Sequence, residues 1–138
     1  MKIIPYSKQF IDKKDKLEIQ KILSSSLITS GPKVELFEKI VRKYCNTKFS
    51  VAVNSATSAL HIACMALELK KNDTLWTVPN SFVASANCGL YCGSKIDFVD
   101  IDDDTLNICV DSLEKKLIFS KKIKKLPKIL VVVHFGGA

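Results

Sequence analysis

The stretch TLWTVPNSFVASANCGLYCGSKIDFV, residues 74–99, decides the fold. It holds two short apolar runs, Leu75 to Val78 and Ile96 to Val99, on either side of a mostly apolar segment from Ser81 to Tyr91. Such runs contain the β-branched and aromatic residues typical of strands, and the segment between them has the length of a helix. The stretch therefore predicts two parallel strands joined by a helix.

Strands and helices are expected to alternate over most of the chain. Such alternation predicts an α/β fold with a mainly parallel sheet and helices on both sides. In the helix that begins at Pro32, apolar residues at the i, i+3, i+4, i+7 spacing predict one face that packs inward, formed by Phe37, Ile40, Val41 and Tyr44. The other expected elements are a helix from Asp12 to the serines at 24–26, a strand over 49–53, helices over 58–69 and 111–119, and a strand over 128–133 that is buried on both faces.

The composition is that of a globular protein. With 138 residues, 47% hydrophobic and 25% charged, the chain fits one domain or a piece of one. It has neither the run of about 20 apolar residues that a membrane span needs nor a signal-peptide pattern, so a cytoplasmic protein without membrane contact is expected. The five cysteines form no CxxC pair and lie mostly in apolar segments, which predicts buried thiols and no metal site.

The net charge of +7 raises the alternative of a nucleic-acid-binding protein. Seven of the 21 basic residues, however, lie between Lys115 and Lys128, without interleaved glycines and with no aromatic residue except Phe119. A solvated, lysine-rich helix end explains this run better, so no nucleic-acid partner is expected. The acidic run from Asp100 to Asp104 is likewise interpreted as a solvated turn.

The turn before the helix expected at 58–69 is built from small and polar residues. It reads Asn54-Ser55-Ala56-Thr57-Ser58, where small side chains let a ligand approach the free N–H groups of the first helical turn. Such a turn suits a phosphate, but the same serines and threonine also serve as an ordinary helix cap. The glycines and lysine of nucleotide-binding loops are missing, which disfavours nucleoside triphosphatases and nicotinamide dehydrogenases.

A second turn, Pro79 to Phe82, follows the strand over 75–78. Ligands bind in open parallel sheets beyond the carboxyl ends of the strands, so Phe82 could stack on a planar ring there. Aromatic side chains are more often buried, and from its position alone Phe82 is interpreted as a core residue. His61, inside an apolar helix, and His134, after the last strand, are interpreted as structural.

Five segments follow one another along the chain: IPY at 4–6, LITSGPKV at 27–34, VAVNSATSALH at 51–61, FVDID at 98–102 and VHFG at 133–136. In these segments the chain resembles the DegT/DnrJ/StrS sugar aminotransferases, a branch of the fold-type-I pyridoxal-phosphate enzymes. The resemblance runs in order through nearly the whole chain and is strongest in the branch that serves pseudaminic acid biosynthesis. It departs at Val78-Pro79-Asn80-Ser81-Phe82 and at Gly136-Gly137-Ala138.

The resemblance implies pyridoxal 5'-phosphate as cofactor, with its phosphate held at Ala56 and Thr57 and its ring stacked on Phe82. It implies that Tyr6, Ser26, Leu27, Ile28, Thr29 and Ser55 contact a UDP-linked sugar. The reaction would move an amino group from glutamate to C4 of a 4-keto-6-deoxy amino sugar, in a homodimer. Residues 1–32 would form an N-terminal helix and substrate loop, and residues 33–138 the first part of the large cofactor-binding domain.

Transamination needs a lysine that forms a Schiff base with the cofactor and a carboxylate facing the pyridine nitrogen. No lysine here lies in the family's setting for that role, so no catalytic residue is assigned, and we expect this chain alone to be inactive and part of a longer protein. Three alternatives stay open: a non-catalytic module that binds a phosphorylated ligand, another nucleotide-sugar aminotransferase, and a dehydratase of the same family.

Overall fold

The computed structural model describes residues 4–5 and 7–137. They form two compact units, one up to Ala52 and the other from Val53. The first unit contains helices α1 (Lys13–Leu23) and α2 (Pro32–Tyr44). The second contains α3 (Ala56–Ala66), β1 (Thr74–Thr77), α4 (Ala84–Tyr91), β2 (Lys95–Phe98), α5 (Val110–Lys122) and β3 (Ile129–Leu130), followed by a short 3-10 turn over 135–137. The expected domain division at residues 32 and 33 stays a prediction.

Helix α1 begins where the sequence predicts. The Asp12 carboxylate accepts hydrogen bonds from the N–H groups of Lys14 and Asp15, and the Asp15 carboxylate accepts one from the N–H of Asp12. This reciprocal capping box satisfies N–H groups that have no partner inside the helix. Pro32 begins α2 at its first position, where a missing N–H costs nothing.

An ion pair joins the two helices of the first unit. The Glu18 carboxylate of α1 accepts hydrogen bonds from Lys21, at 2.6 Å, and from Lys33 of α2. The hydrogen bond from Lys21, followed by the one from Lys33, lowers the pKa of Glu18 to about 2. Glu18 therefore stays ionised well into acid.

The inward-packing face expected on α2 is wrong. Phe37 and Ile40 are more than half exposed, Tyr44 is 91% exposed, and no residue of α2 is buried. The spacing of these residues is helical, as predicted, but within the described residues nothing covers the stripe that they form. The spacing of apolar residues indicates a helix, but whether the apolar face is buried depends on what packs against it.

The second unit contains the parallel sheet and the core. Strand β1 lies between β2 and β3, and both neighbours run parallel to it. The α/β class and the mainly parallel sheet are thus confirmed. The largest fully buried side chains come from β1, from the residues that directly follow β1 and β2, and from α4: Trp76, Leu75, Thr77, Val78, Val99 and Cys88.

Helix α4 lies very close to the sheet because Gly89 faces it. A Cβ atom at Gly89 would lie 2.5 Å from Cδ1 of Ile96, 2.9 Å from Oγ of Ser94 and 3.2 Å from Cβ of Leu75. Only a residue without a side chain leaves room for that approach. Gly89 therefore sets the spacing between the helix and strands β1 and β2.

Two expected strands differ in the structure. Residues 49–53 form no strand; they pair with no other strand, and the N–H of Ala52 donates instead to the Glu38 carboxylate, at 2.8 Å. The expected strand over 128–133 is reduced to Ile129 and Leu130, which are half-buried rather than buried on both faces. In the described chain β3 is an outer strand of the sheet, so it lacks neighbours on one side.

The cysteines follow the prediction in part. Cys64 and Cys88 are buried, Cys92 and Cys109 are half-buried, and Cys45 is exposed. Burial, followed by a hydrogen bond with Cys88, raises the pKa of Cys64 to about 12. The thiol of Cys64 therefore stays protonated and serves as a small apolar group of the core.

Lys116 of helix α5 contacts the sheet. The ammonium of Lys116 lies 4.8 Å from the centre of the Trp76 ring and 2.8 Å from the Asp97 carboxylate, and it also donates to the carbonyl oxygen of Phe98. Burial raises the pKa of Asp97, but the hydrogen bonds from Lys116 and from the N–H of Phe98 outweigh it and leave the pKa below its ordinary value. Lys116 thus connects α5 to both β1 and β2.

Candidate functional site

The first turn of α3 presents open N–H groups. Ser55 is the N-cap, with extended backbone angles of −159° and 155°, and its hydroxyl oxygen accepts a hydrogen bond from the N–H of Ser58 at 3.1 Å. Ala56 and Thr57 occupy the first two helical positions, where helix geometry provides no partner for the N–H. The turn thus keeps two backbone donors available at the positive end of a helix.

The side chains around these donors are small and uncharged. Ala56 is exposed, Thr57 is half-buried, and no acidic or basic residue lies in the first turn of α3. The helix end therefore attracts anions through its backbone alone, without a lysine or arginine. A phosphate group fits this chemistry, since its oxygens accept several N–H bonds at once.

The hydroxyls of this turn are joined in a network that the sequence reading missed. The Ser58 hydroxyl donates to Oδ1 of Asn54 at 2.8 Å, the Ser55 hydroxyl lies 3.4 Å from the same oxygen, and the two hydroxyl oxygens are 2.9 Å apart. The two serine hydroxyls are therefore engaged with each other and with Asn54 as well as in the helix cap. An amide residue four positions before a serine, next to an N-cap, is the pattern that could have revealed it.

Phe82 lies between β1 and α4, and 75% of it is exposed. The interpretation of Phe82 as a core residue is therefore wrong. The residue directly precedes the N-cap of α4, and its carbonyl oxygen accepts the N–H of Ser85 at 3.0 Å, so the backbone is fixed while the ring is free of the core. An exposed ring on a fixed backbone is suited to stacking on a planar ligand.

The residues expected to meet a sugar nucleotide are divided between the two units. Ser26, Leu27, Ile28 and Thr29 form the loop between α1 and α2 in the first unit, whereas Ser55 belongs to the second. Leu27 and Ile28 line a largely apolar cavity of about 310 Å³ together with residues of both helices. Tyr6 lies outside the described residues.

The loop is shaped by a hydroxyl that the sequence reading did not single out. The Ser25 hydroxyl shares its one hydrogen between the carbonyl oxygens of Ile22, at 2.7 Å, and Leu27, at 3.0 Å. This bond ties the end of α1 to the loop and directs the following residues. Serine after a helix is a common capping residue, so its presence alone gave no indication of a role in the loop.

Two secondary interpretations are confirmed. The His61 ring packs edge-on against Tyr91, with ring centres 5.3 Å apart, and serves as a contact between α3 and α4. In the acidic turn, hydrogen bonds from the N–H and the hydroxyl of Thr105 lower the pKa of Asp102, which keeps this exposed loop closed and charged. Both features are contacts within the fold.

Comparison with known proteins identifies the family. The model of the DegT/DnrJ/EryC1/StrS aminotransferase family matches residues 9–138. The chain belongs to this family. Its cofactor, pyridoxal 5'-phosphate, and the fold expected from the resemblance are thereby confirmed at the level of the family.

Individual relatives agree with this assignment. The chain is 37% identical over 137 residues to the UDP-4-amino-4,6-dideoxy-N-acetyl-beta-L-altrosamine transaminase of Campylobacter jejuni subsp. jejuni serotype O:23/36 (strain 81-176), with 98% of this chain and 35% of the relative covered. The crystal structure of the sugar aminotransferase CalS13 from Micromonospora echinospora superimposes with a TM-score of 0.80 at 29% identity, over 96% of this chain and 35% of CalS13. The PLP-form of Spr1654 from Streptococcus pneumoniae does so with a TM-score of 0.76 at 32% identity, over 81% of this chain and 29% of Spr1654. The chain thus spans about a third of the length of these relatives.

The described residues fit a pyridoxal phosphate. The start of α3 supplies N–H donors and no negative charge for the phosphate, and Phe82 supplies an exposed aromatic face for the ring.

None of the described helices is both long enough and apolar enough to span a membrane.

Proposed function

We propose that this chain binds pyridoxal 5'-phosphate, with the phosphate on the N–H groups of Ala56 and Thr57 and the pyridine ring against Phe82. The observation that carries the proposal is the start of α3, where the Ser55 hydroxyl caps Ser58 and leaves the two preceding N–H groups open. The family match and the PLP-form of Spr1654 support the choice of this phosphate over others.

We further propose that the whole protein transfers an amino group from glutamate to C4 of a UDP-linked 4-keto-6-deoxy amino sugar in pseudaminic acid biosynthesis. The altrosamine transaminase of C. jejuni, at 37% identity, supports this substrate. Tyr6, Ser55 and the loop from Ser26 to Thr29 are assigned to the sugar nucleotide. The protein would act in the cytoplasm as a homodimer.

In this proposal the chain provides binding and orientation. When bound, the cofactor supplies an electron sink for the carbon atom that exchanges its amino group. The N–H groups of Ala56 and Thr57 fix the phosphate, and Phe82 covers one face of the ring and excludes water from it. The side chains assigned to the sugar nucleotide would determine which keto sugar approaches.

The phosphate site is tested by Ala56→Pro. Proline removes the N–H of the first helical position without breaking the helix, and the extended angles of Ser55 suit a residue before proline. Loss of one hydrogen bond to a charged phosphate should weaken binding of pyridoxine 5'-phosphate, which has no aldehyde to react with lysines, by about tenfold. Isothermal titration calorimetry measures this affinity, and the melting temperature should not change.

The matched control is Val110→Pro at the first position of α5, whose preceding residue Cys109 is also extended. This variant should bind pyridoxine 5'-phosphate as the wild type does. If Ala56→Pro and Val110→Pro bind equally well, the phosphate does not lie at the start of α3 and the proposal is wrong.

A further inference from the structure

We propose that Asn54 is a positioning residue of the phosphate site, whose side-chain amide sets the direction in which the Ser55 and Ser58 hydroxyls donate. The inference rests on the proposed function, since it needs an anion at the start of α3. Asn54 directly precedes the N-cap Ser55 and has none of the roles assigned above.

A count of hydrogens gives the direction of the network. Each hydroxyl has one hydrogen and can accept at its lone pairs. The hydrogen of Ser58 lies on Oδ1 of Asn54, at 2.8 Å, so the hydrogen of Ser55 is directed to the Ser58 oxygen, at 2.9 Å, or to the same Oδ1, at 3.4 Å. The Ser55 oxygen itself accepts the N–H of Ser58. Both hydroxyl hydrogens are therefore used inside the turn.

This direction is unfavourable for an anion. With their hydrogens turned inward, the two hydroxyl oxygens offer only lone pairs to an approaching phosphate, and lone pairs repel negative charge. Hydroxyl hydrogens released toward the phosphate would instead form charge-assisted hydrogen bonds, which are the stronger kind. Binding therefore favours a reversal of the network.

An asparagine side chain permits that reversal. Its oxygen and nitrogen ends have nearly the same shape, so a half-turn of the amide replaces the acceptor Oδ1 by the donor Nδ2. Nδ2 then donates to the Ser58 oxygen, and the hydrogen of Ser58 is released. An aspartate at this position could only accept hydrogen bonds, so it would keep the hydroxyl hydrogens inside the turn. An alanine would hold these hydrogens neither inside the turn nor toward the phosphate.

The test compares Asn54→Asp and Asn54→Ala in the full chain, with pyridoxine 5'-phosphate as the probe. Asn54→Asp should bind it at least about tenfold more weakly than the wild type, because one charge-assisted bond is lost, and Asn54→Ala should show a smaller loss of about threefold, because its hydroxyls are no longer directed by an amide. In the wild type, the side-chain NH2 resonances of Asn54 should shift when the probe is added. Melting temperatures verify that each variant is folded.

Asn54→Asp adds a negative charge as well as changing the direction in which the hydroxyls donate. Measurements at several salt concentrations separate these two effects. Screening weakens a purely Coulombic repulsion between exposed groups, so the ratio of wild-type to Asn54→Asp affinity should persist from low to high salt if direction is the cause. A ratio that falls to one in high salt, equal losses in both variants, or a larger loss in Asn54→Ala overturns the inference. Absence of binding to the wild type contradicts the proposed function as well, so the two failures are distinguishable.

Discussion

At the scale of single residues, the ring of Phe82 is exposed although Phe82 lies only four residues after the buried Val78. The ring therefore contributes little to the core, and its replacement should affect a ligand more than the fold. Phe82→Leu keeps an apolar side chain and removes the aromatic face. We expect it to weaken binding of pyridoxine 5'-phosphate by about threefold to tenfold, the usual worth of an aromatic pair, and to leave binding of inorganic phosphate unchanged.

Calorimetric titration with both ligands measures this difference. Phe119→Leu on α5, where the phenylalanine is 63% exposed, is the matched control and should change neither affinity. A loss of affinity for inorganic phosphate in Phe82→Leu, equal to the loss for pyridoxine 5'-phosphate, would show that Phe82 acts on the turn rather than on the ring.

The residues of the phosphate turn show how far a sequence leads to a site. The small residues after Asn54 predicted a helix start with open N–H groups, because position in a helix determines which groups lack partners. The pattern of an amide four positions before a serine indicates that the network can form, but the direction in which the Ser55 and Ser58 hydroxyls donate depends on side-chain rotamers. The exposure of Phe82 likewise depends on what packs around it.

At the scale of elements, β1, α4 and β2 appear within three residues of the predicted bounds, because a strand between two neighbours needs an apolar run and the crossover between them needs a helix. The run over 49–53 has the same composition but no strand partner in the described chain, so it stays irregular. Composition predicts which segments can pair, whereas pairing itself depends on a neighbouring edge.

Lys116 joins helix α5 to strands β1 and β2, and the energy of this contact can be measured. Lys116→Met keeps the length of the side chain but removes its charge from Trp76 and Asp97, and we expect it to lower the free energy of unfolding by roughly 1 kcal/mol. Asp97 is about half exposed, so screening keeps this value small. Urea unfolding followed by the fluorescence of Trp76 measures it, and Lys115→Met, which lies at an exposed position, should have no comparable effect.

The same contact gives a pH dependence. Because the pKa of Asp97 is lower in the folded chain, its ion pair stabilises the fold above the ordinary carboxyl pKa of 3.8 and is lost as the pH falls through the lowered value. The difference between wild type and Lys116→Met should therefore be greatest near neutral pH and should shrink in acid to the part that the Trp76 ring supplies. A difference that grows in acid would contradict the ion pair.

At the scale of the whole molecule, burial is distributed unevenly between the two units. Every buried residue of the described chain lies at Cys64 or beyond, and α1 and α2 contain none. Helices of this length are marginal in water without tertiary packing. The sequence predicted the helices of both units equally well, because caps and spacing are local, but it could not predict which of them would be covered.

This difference predicts unequal resistance to opening. Amides of β1 and α4 should exchange with solvent only in large openings that break the core, whereas amides of α1 and α2 should exchange in local openings, with protection lower by about a hundredfold. Hydrogen exchange of the whole chain, followed amide by amide at several low concentrations of urea, measures both the protection and the surface exposed in each opening. Core amides should show a steep dependence on urea and amides of α1 and α2 a shallow one, because a local opening exposes little new surface. Equal protection and equal slopes in α2 and β1 would contradict this prediction and would mean that the stripe of Phe37, Ile40 and Tyr44 is covered in solution.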